Sequence, residues 1–132
     1  MKTKNIVVWV LRLIAAIILL QTLYFKFSGS EESKFIFSTL GIEPWGRIGT
    51  GVAELITSIL ILIPRTTVYG AVMGMGIMAG ALVSHLFKLG IVVMDDGGQL
   101  FIYALLVFVS CAILVIMYRE QLLKLLKNPA TT

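Results

Sequence analysis

Apolar residues in this chain fall into long runs separated by short polar segments. Four such runs cover residues 6–25, 45–63, 68–86 and 100–118. A helix of about 20 residues crosses the roughly 30 Å hydrocarbon core of a bilayer, so each run is long enough for one crossing. None of them alternates polar and apolar positions as the strands of a membrane β-barrel do. The pattern predicts an all-α integral membrane protein, a four-transmembrane-helix bundle.

The segment between the first two runs is long enough to hold a further short helix. Ser30, followed by two acids, is typical of a helix N-terminus, and Gly41 and Pro44 are stop signals. We therefore expect a helix over residues 30–40. Its apolar and aromatic side chains predict an interfacial position, on the membrane surface or capping the bundle.

Composition supports a membrane protein of one domain. Hydrophobic residues make up 58% of the 132 positions and charged residues 14%, where a soluble domain has about 25% charged residues. The alternative for the first run is a cleaved signal peptide, since Lys2 and Lys4 precede it. Arg12 interrupts the run, however, and no small-x-small cleavage site follows it. We therefore expect the run to remain as the first helix of a single domain, residues 1–132.

The distribution of Lys and Arg predicts the orientation, because basic loops are retained in the cytoplasm. With the N-terminus inside, the inner side holds one acid, Glu120, and these basic residues: Lys2, Lys4, Arg65, Arg119, Lys124 and Lys127. The outer side holds Lys26, Lys34, Arg47 and Lys88 with the acids Glu31, Glu32, Glu43, Asp95 and Asp96. Both termini are therefore expected in the cytoplasm. The net charge of +4 is explained by this topology and by contact with anionic lipids, without a nucleic-acid partner.

Two charged residues lie well inside the apolar runs. A charge at mid-bilayer costs roughly 3 kcal/mol on insertion scales, so Arg12 and Glu54 each need a partner or a functional role. Their estimated depths differ by about 7 Å, which a long arginine side chain can span. The sequence therefore predicts an ion pair between Arg12 and Glu54.

Polar residues at helical spacing predict a polar pocket inside the bundle. Thr50, Gly51 and Ser58 form a small, polar stripe around Glu54, and such stripes face other helices. Gln21 is predicted to point away from this pocket. The candidate ligand-binding residues are Arg12, Lys26, Arg47, Glu54, His85, Gln99 and Tyr103.

Metal and thiol chemistry receive little support from the sequence. His85 is the only histidine, and Met78 lies about 10 Å away along the helix, too far to share an ion. No metal site is predicted. Cys111 is the only cysteine, which excludes an internal disulfide and a Cys-x-x-Cys redox pair.

The order and spacing of several short motifs carry a family resemblance over nearly the whole chain. They are Leu11-Arg12, Lys26, Phe37-Ser38-Thr39-Leu40-Gly41-Ile42, Gly51-Val52-Ala53-Glu54-Leu55, Pro64-Arg65-Thr66, Met78-Ala79-Gly80-Ala81, His85 and Asp96-Gly97-Gly98. In this respect the chain is similar to the DoxX family of small four-helix bacterial membrane proteins. The resemblance implies a multi-pass protein of the bacterial cytoplasmic (inner) membrane. Some relatives are linked to quinone-coupled sulfur oxidation or to membrane redox-stress complexes, and no shared catalytic mechanism defines the family.

Three functions are consistent with these observations. The first is an accessory subunit of a membrane redox system that docks a redox partner protein or holds a quinone. The second is a stand-alone enzyme or carrier for a small amphiphile, with Glu54 exchanging protons. The third is a structural scaffold whose buried charges fix helix register. The sequence leaves open whether the chain is an enzyme and whether it forms a homo-oligomer; no cofactor other than a quinone is suggested.

Overall fold

The computed structural model describes residues 2–92 and 97–127, and all regular structure within them is helical. The helices are α1 (Lys2–Ser28), α2 (Glu31–Thr39), α3 (Trp45–Leu62), α4 (Thr67–Ser84), α5 (Gln99–Met117) and α6 (Arg119–Lys127). A π-helical segment, His85–Leu89, continues α4. Asp95 and Asp96, part of the predicted outer charge, lie outside the described residues.

Four of these helical segments are long and apolar enough to cross a membrane, as the four apolar runs of the sequence predicted. They are Asn5–Ser28, Trp45–Leu62, Thr67–Leu89 and Gln99–Met117. The first extends beyond residue 25, where the apolar run ends, and includes the polar residues Lys26 and Ser28. The third extends beyond residue 86 through the π-helical segment.

The four long helices form a closed bundle in which each contacts two neighbours, in the order α1, α3, α4, α5 and back to α1. The buried interior is mostly apolar, with Leu19, Ile61, Val107 and Leu114 almost fully enclosed. The outer surface is also apolar: Ile17, Ile59, Val83 and Ile102, one from each long helix, are half or more exposed. Soluble monomers rarely expose large contiguous apolar patches, so this surface is compatible with contact with lipid.

Helix α2 lies at one end of the bundle, where it contacts α1, α3 and the π-helical segment. We call this the α2 end. The Ser30 hydroxyl accepts a hydrogen bond from the backbone N–H of Ser33, so Ser30 is the predicted N-cap. The helix ends at Thr39, and Gly41 then takes a φ of +79° that L side chains rarely adopt.

The opposite end, where a short turn joins α3 to α4, is called the turn end. Gly70 permits a close approach of these two helices: a Cβ there would lie 2.8 Å from the backbone nitrogen of Ile61. Gly74 is equally confined, by the Sγ atom of Cys111 at 2.7 Å. In contrast, a Cβ on Gly76 or Gly80 would meet no heavy atom within 4 Å. In α4, Gly70 and Gly74 therefore lie where helices pack closely together, and Gly76 and Gly80 do not.

Helix α6 was not predicted. It begins at Arg119, directly after α5, and the side-chain amide of Gln121 donates a hydrogen bond to the carbonyl of Arg65 in the α3–α4 turn. This contact places α6 at the turn end. The signal for it was the return of charged residues, Arg119, Glu120 and Lys124, around the leucines that follow the last apolar run.

Candidate functional site

A cavity of about 790 Å³ occupies the α2 end of the bundle. All four long helices and α2 contribute to its walls. Some lining residues are well exposed, among them Trp45 at 69%, so the cavity opens to the surface of the protein. Its size lies within the range of about 300–1,000 Å³ that is usual for small-molecule sites.

Small residues on α3 and α4 leave the space for this cavity. Gly49 and Ala53 line it from α3, and Gly76, Gly80 and Ala81 line it from α4. Since a Cβ on Gly49, Gly76 or Gly80 would touch nothing, larger side chains at these positions would fill the cavity without a clash at their first carbon.

An ion pair lies in the wall between α1 and α3. The Nζ atom of Lys26 is 2.7 Å from Oε1 of Glu54, and the Thr22 hydroxyl donates a hydrogen bond of 2.5 Å to Oε2. Among the described residues, Oε1 of Glu54 accepts no hydrogen bond of normal geometry. The Nζ atom of Lys26 therefore approaches this oxygen from outside the usual hydrogen-bond directions. The contact is therefore mainly a charge pair, strengthened by the low local dielectric.

The local sequence explains how this pair is positioned. Thr22 and Lys26 are four residues apart and so share one face of α1. On α3 the neighbouring Gly51 makes room for α1, since a Cβ there would lie 2.7 Å from the ring of Phe27. The two helices thus come close enough for the carboxylate of Glu54 to receive both α1 groups.

The two charged partners differ in their access to the cavity. The side chain of Glu54 is 1% exposed and that of Lys26 is 17% exposed. The carboxylate therefore lies beneath the ammonium group. A molecule in the cavity meets Lys26 first.

His85 lies where α4 becomes π-helical, and it is buried in the cavity wall. Its Nδ1 atom is 3.0 Å from the carbonyl of Gly90, and its ring contacts Phe101 edge to face. A carbonyl only accepts hydrogen bonds, so Nδ1 carries the proton and Nε2 is an acceptor when the ring is neutral.

Gln99 and Tyr103 form the polar part of the α5 wall. The amide nitrogen of Gln99 donates a hydrogen bond of 2.8 Å to the Tyr103 hydroxyl oxygen. One turn of α5 separates the two residues, which places both side chains on one face. The hydroxyl proton of Tyr103 is left to donate to a second acceptor.

The structure brings five of the seven candidate residues to the cavity: Lys26, Glu54, His85, Gln99 and Tyr103. Arg12 and Arg47 lie elsewhere. Gln21, predicted to point away, is among the lining residues, so that prediction is wrong. The cavity borders α1 over a broad face that reaches from Lys26 to Gln21, wider than the single stripe assumed from helical spacing.

Arg12 binds the C-terminal end of α3. Its Nε atom donates to the carbonyl of Ile61 at 2.8 Å and its Nη2 atom to that of Leu62, while its guanidinium lies 3.8 Å from the ring centre of Trp9. The last carbonyls of a helix lack partners within it and carry partial negative charge. Arg12 therefore caps α3 from the neighbouring helix.

The predicted ion pair between Arg12 and Glu54 is wrong. Arg12 lies level with Ile61, and Glu54 is two turns further along α3, roughly 10 Å away along the axis. Lys26, on the same face of α1 as Arg12 but at the α2 end, takes the position beside Glu54 instead. The sequence estimate assumed that both helices cross the membrane over the same thickness, and it therefore placed Arg12 and Glu54 at depths that were too similar.

Arg47 stabilises the α2 end without lining the cavity. Its Nε atom donates to both carboxylate oxygens of Glu43, at 2.8 and 3.1 Å, and its Nη1 atom donates to the carbonyl of Lys26 at the end of α1. The side chain thus joins the end of α1 to the start of α3. It fixes the backbone from which Lys26 projects.

Thr22 is a polar cavity residue that sequence reasoning missed. Its spacing from Lys26 was the available signal, because residues four apart on a helix lie on one face. For metals, no group of three or more His, Cys, Asp or Glu side chains comes together within the described residues. Cys111 is buried against Gly74 in the core, away from the cavity walls.

No protein-family model matches the chain, and no curated protein or solved structure does either. Function therefore has to be inferred from the geometry and chemistry of the cavity.

Proposed function

We propose that this chain is a four-span protein of the bacterial inner membrane that binds a small amphiphile in the cavity at the α2 end. The observation that carries the proposal is a large cavity with a mainly apolar wall and a few polar groups at fixed positions. Such a combination is typical of small-molecule sites. The exposed apolar side chains on all four long helices support insertion in lipid.

The most suitable amphiphile is a quinone, and the role is that of an accessory subunit in a membrane redox system. The resemblance to the DoxX family supplies the redox theme. The cavity has space for a quinone ring. Hydrogen-bond donors on α1 and α5 can bind the quinone oxygens. In this role a redox partner protein would perform the electron transfer.

An enzyme or carrier that exchanges protons through Glu54 is the second candidate. A buried ionisable group beside a cavity favours it. Against it, the carboxylate is covered by Lys26 and held by Thr22. A scaffold function accounts for the Lys26–Glu54 pair, which joins α1 to α3, but does not account for the cavity.

Both termini are proposed to lie in the cytoplasm, with the α2 end facing outward. In this orientation α2 is an interfacial helix and the basic helix α6 lies near anionic headgroups of the inner leaflet. Fused after Lys127, a reporter that works only in the cytoplasm should be active, and a reporter that works only outside the cytoplasm should be inactive. Activity of an externally folding reporter at that position would reverse the orientation.

Filling the cavity should abolish ligand binding without unfolding the protein. In a Gly80→Phe variant the added ring has free space at its first carbon and should occupy the cavity. We expect binding of a benzoquinone with a ten-carbon tail, measured by quenching of tryptophan fluorescence in detergent, to weaken by at least about tenfold. The matched control is Val109→Phe on the exposed face of α5, which should bind normally. Unchanged binding in the Gly80→Phe variant would place the ligand elsewhere.

A further inference from the structure

The cavity is open on the side between α3 and α4, while α2 lies across its axial end. We infer that the apolar chain of the ligand leaves the cavity through this side opening and lies in the bilayer, so that the ligand is a long-chain amphiphile taken up from the lipid. This inference rests on the proposed function, since it concerns the ligand of the same cavity.

Helices α3 and α4 pack tightly in the half of their contact that is nearer the turn end. A Cβ on Gly70 would lie 2.8 Å from the Cβ atom of Leu60. A Cβ on Gly74 would lie 3.5 Å from the Cγ2 atom of Thr57. These contacts leave no passage between the two helices at this depth.

Towards the α2 end, small residues leave a cleft between the same two helices. On α3, Ala53 and Gly49 precede Thr57 at four-residue intervals and so continue the same edge of the helix. On α4 the cleft is lined by Gly76 and Gly80. All four residues of this α3–α4 cleft line the cavity, and a Cβ on any of the three glycines would meet no heavy atom within 4 Å. The three glycines are exposed, so the cavity reaches the surface here.

The α3–α4 cleft lies among apolar side chains at the depth of the lipid tails. Exposed apolar residues flank it, Val52 and Ile56 on α3 and Val72 and Met73 on α4. Ala53 is about 12 Å along α3 from its first residue at the α2 end, well inside a hydrocarbon core of about 30 Å. A chain that passes through the cleft therefore meets lipid tails and not water.

The polar groups of the cavity lie on the side of α2. Ser33 and Phe37 of α2 are buried and line the cavity, which covers its axial end. Gln99 is the first residue of α5, and His85 is nine residues from Gly76, about 14 Å along the helix. A ligand bound by these polar groups has its head beneath α2 and its apolar end at the α3–α4 cleft.

Blocking the cleft should affect long-chain ligands selectively. Gly76 is the α4 residue of the cavity wall nearest the turn end, so Gly76→Phe places a ring in the path of the tail. The probes are two benzoquinones with the same fully substituted ring and a ten-carbon or a two-carbon tail, and binding is measured by tryptophan quenching in lipid nanodiscs. We expect Gly76→Phe to weaken binding of the ten-carbon probe at least about tenfold and of the two-carbon probe less than about twofold. The matched control Val72→Phe, an exposed position one turn away, should bind both probes like the wild type. Partitioning of a probe into lipid is the same for each variant and cancels in these ratios.

The position of the tail is measured independently with a ten-carbon probe that carries bromine on its last carbon. The chain has two tryptophans; with Trp9→Phe and Trp45→Phe as background, Val72→Trp places the only tryptophan beside the cleft. Val109→Trp in the same background places it on the exposed face of α5. Bromine quenches tryptophan at short range, so quenching at position 72 should exceed quenching at position 109 by at least about twofold. A probe that is merely dissolved in the lipid quenches both equally.

Failure of the inference and failure of the proposed function give different results. If the ten-carbon probe binds the wild-type protein but tolerates Gly76→Phe, or loses no more than the two-carbon probe does, or quenches both tryptophans equally, the inference is overturned while the cavity remains an amphiphile site. If neither probe binds to the wild-type protein, both are overturned.

Discussion

Replacing Lys26 with Met should lower the free energy of unfolding by about 3 kcal/mol, measured by denaturation in mixed micelles. The substitution leaves the carboxylate of Glu54 enclosed without its counter-charge, and removal of one partner from a buried pair typically has a cost of this size. Glu54→Gln should cost less, because the amide can still accept from Thr22 and the Lys26 side chain can move into the cavity.

The double variant Lys26→Met with Glu54→Gln should be milder than the sum of the single effects by about 1–3 kcal/mol, since the two groups are in contact. The control cycle pairs Glu54→Gln with Arg12→Met. Those two residues bind different partners, so their effects should add. Additivity in the first cycle, or strong coupling in the second, would contradict the observed pairing.

Replacing Arg12 with Met should cost about 2 kcal/mol of unfolding free energy. The carbonyl of Leu62 then loses the donor that Arg12 provides, whereas the carbonyl of Ile61 keeps the Thr67 hydroxyl at 2.9 Å. The Leu62 carbonyl is partly buried, and a buried acceptor left unsatisfied costs about 1–3 kcal/mol. The stacking on Trp9 is lost as well.

Arg12→Lys distinguishes hydrogen bonding from charge at this position. An ammonium group keeps the charge but cannot reproduce two divergent N–H donors from one planar group. The variant should therefore recover only part of the stability lost in Arg12→Met. Full recovery would mean that the positive charge at the end of α3, and not the two directed N–H donors of arginine, provides the stability.

The sequence predicted the four long helices because their cause is local. Apolar runs of the required length, bounded by Gly41, Pro44 and Pro64, leave few other structures in lipid. It also predicted α2 from its N-cap at Ser30. Helix α6 was missed because its apolar residues are few and its charges look like a solvated tail.

Most residues of the candidate site were predicted from the sequence, but the residues that form its ion pair were not. Helical spacing brought Lys26, Glu54 and Tyr103 to one pocket, because residues on inward faces of a small bundle must meet. It did not give the axial offset between α1 and α3, which is a property of the packing between the two helices. That offset decides whether Glu54 meets Arg12 or Lys26. The empty space beside Gly76 and Gly80 is likewise a property of packing between helices.

The central claim, that the cavity holds a small amphiphile, is tested most directly by native mass spectrometry of the protein released from its own membranes. We predict that the wild-type protein retains one small amphiphile through mild activation, and that the Gly80→Phe variant has lost it while the Val109→Phe control keeps it. Wild-type protein without such a molecule, or equal retention in the Gly80→Phe variant, would contradict the claim.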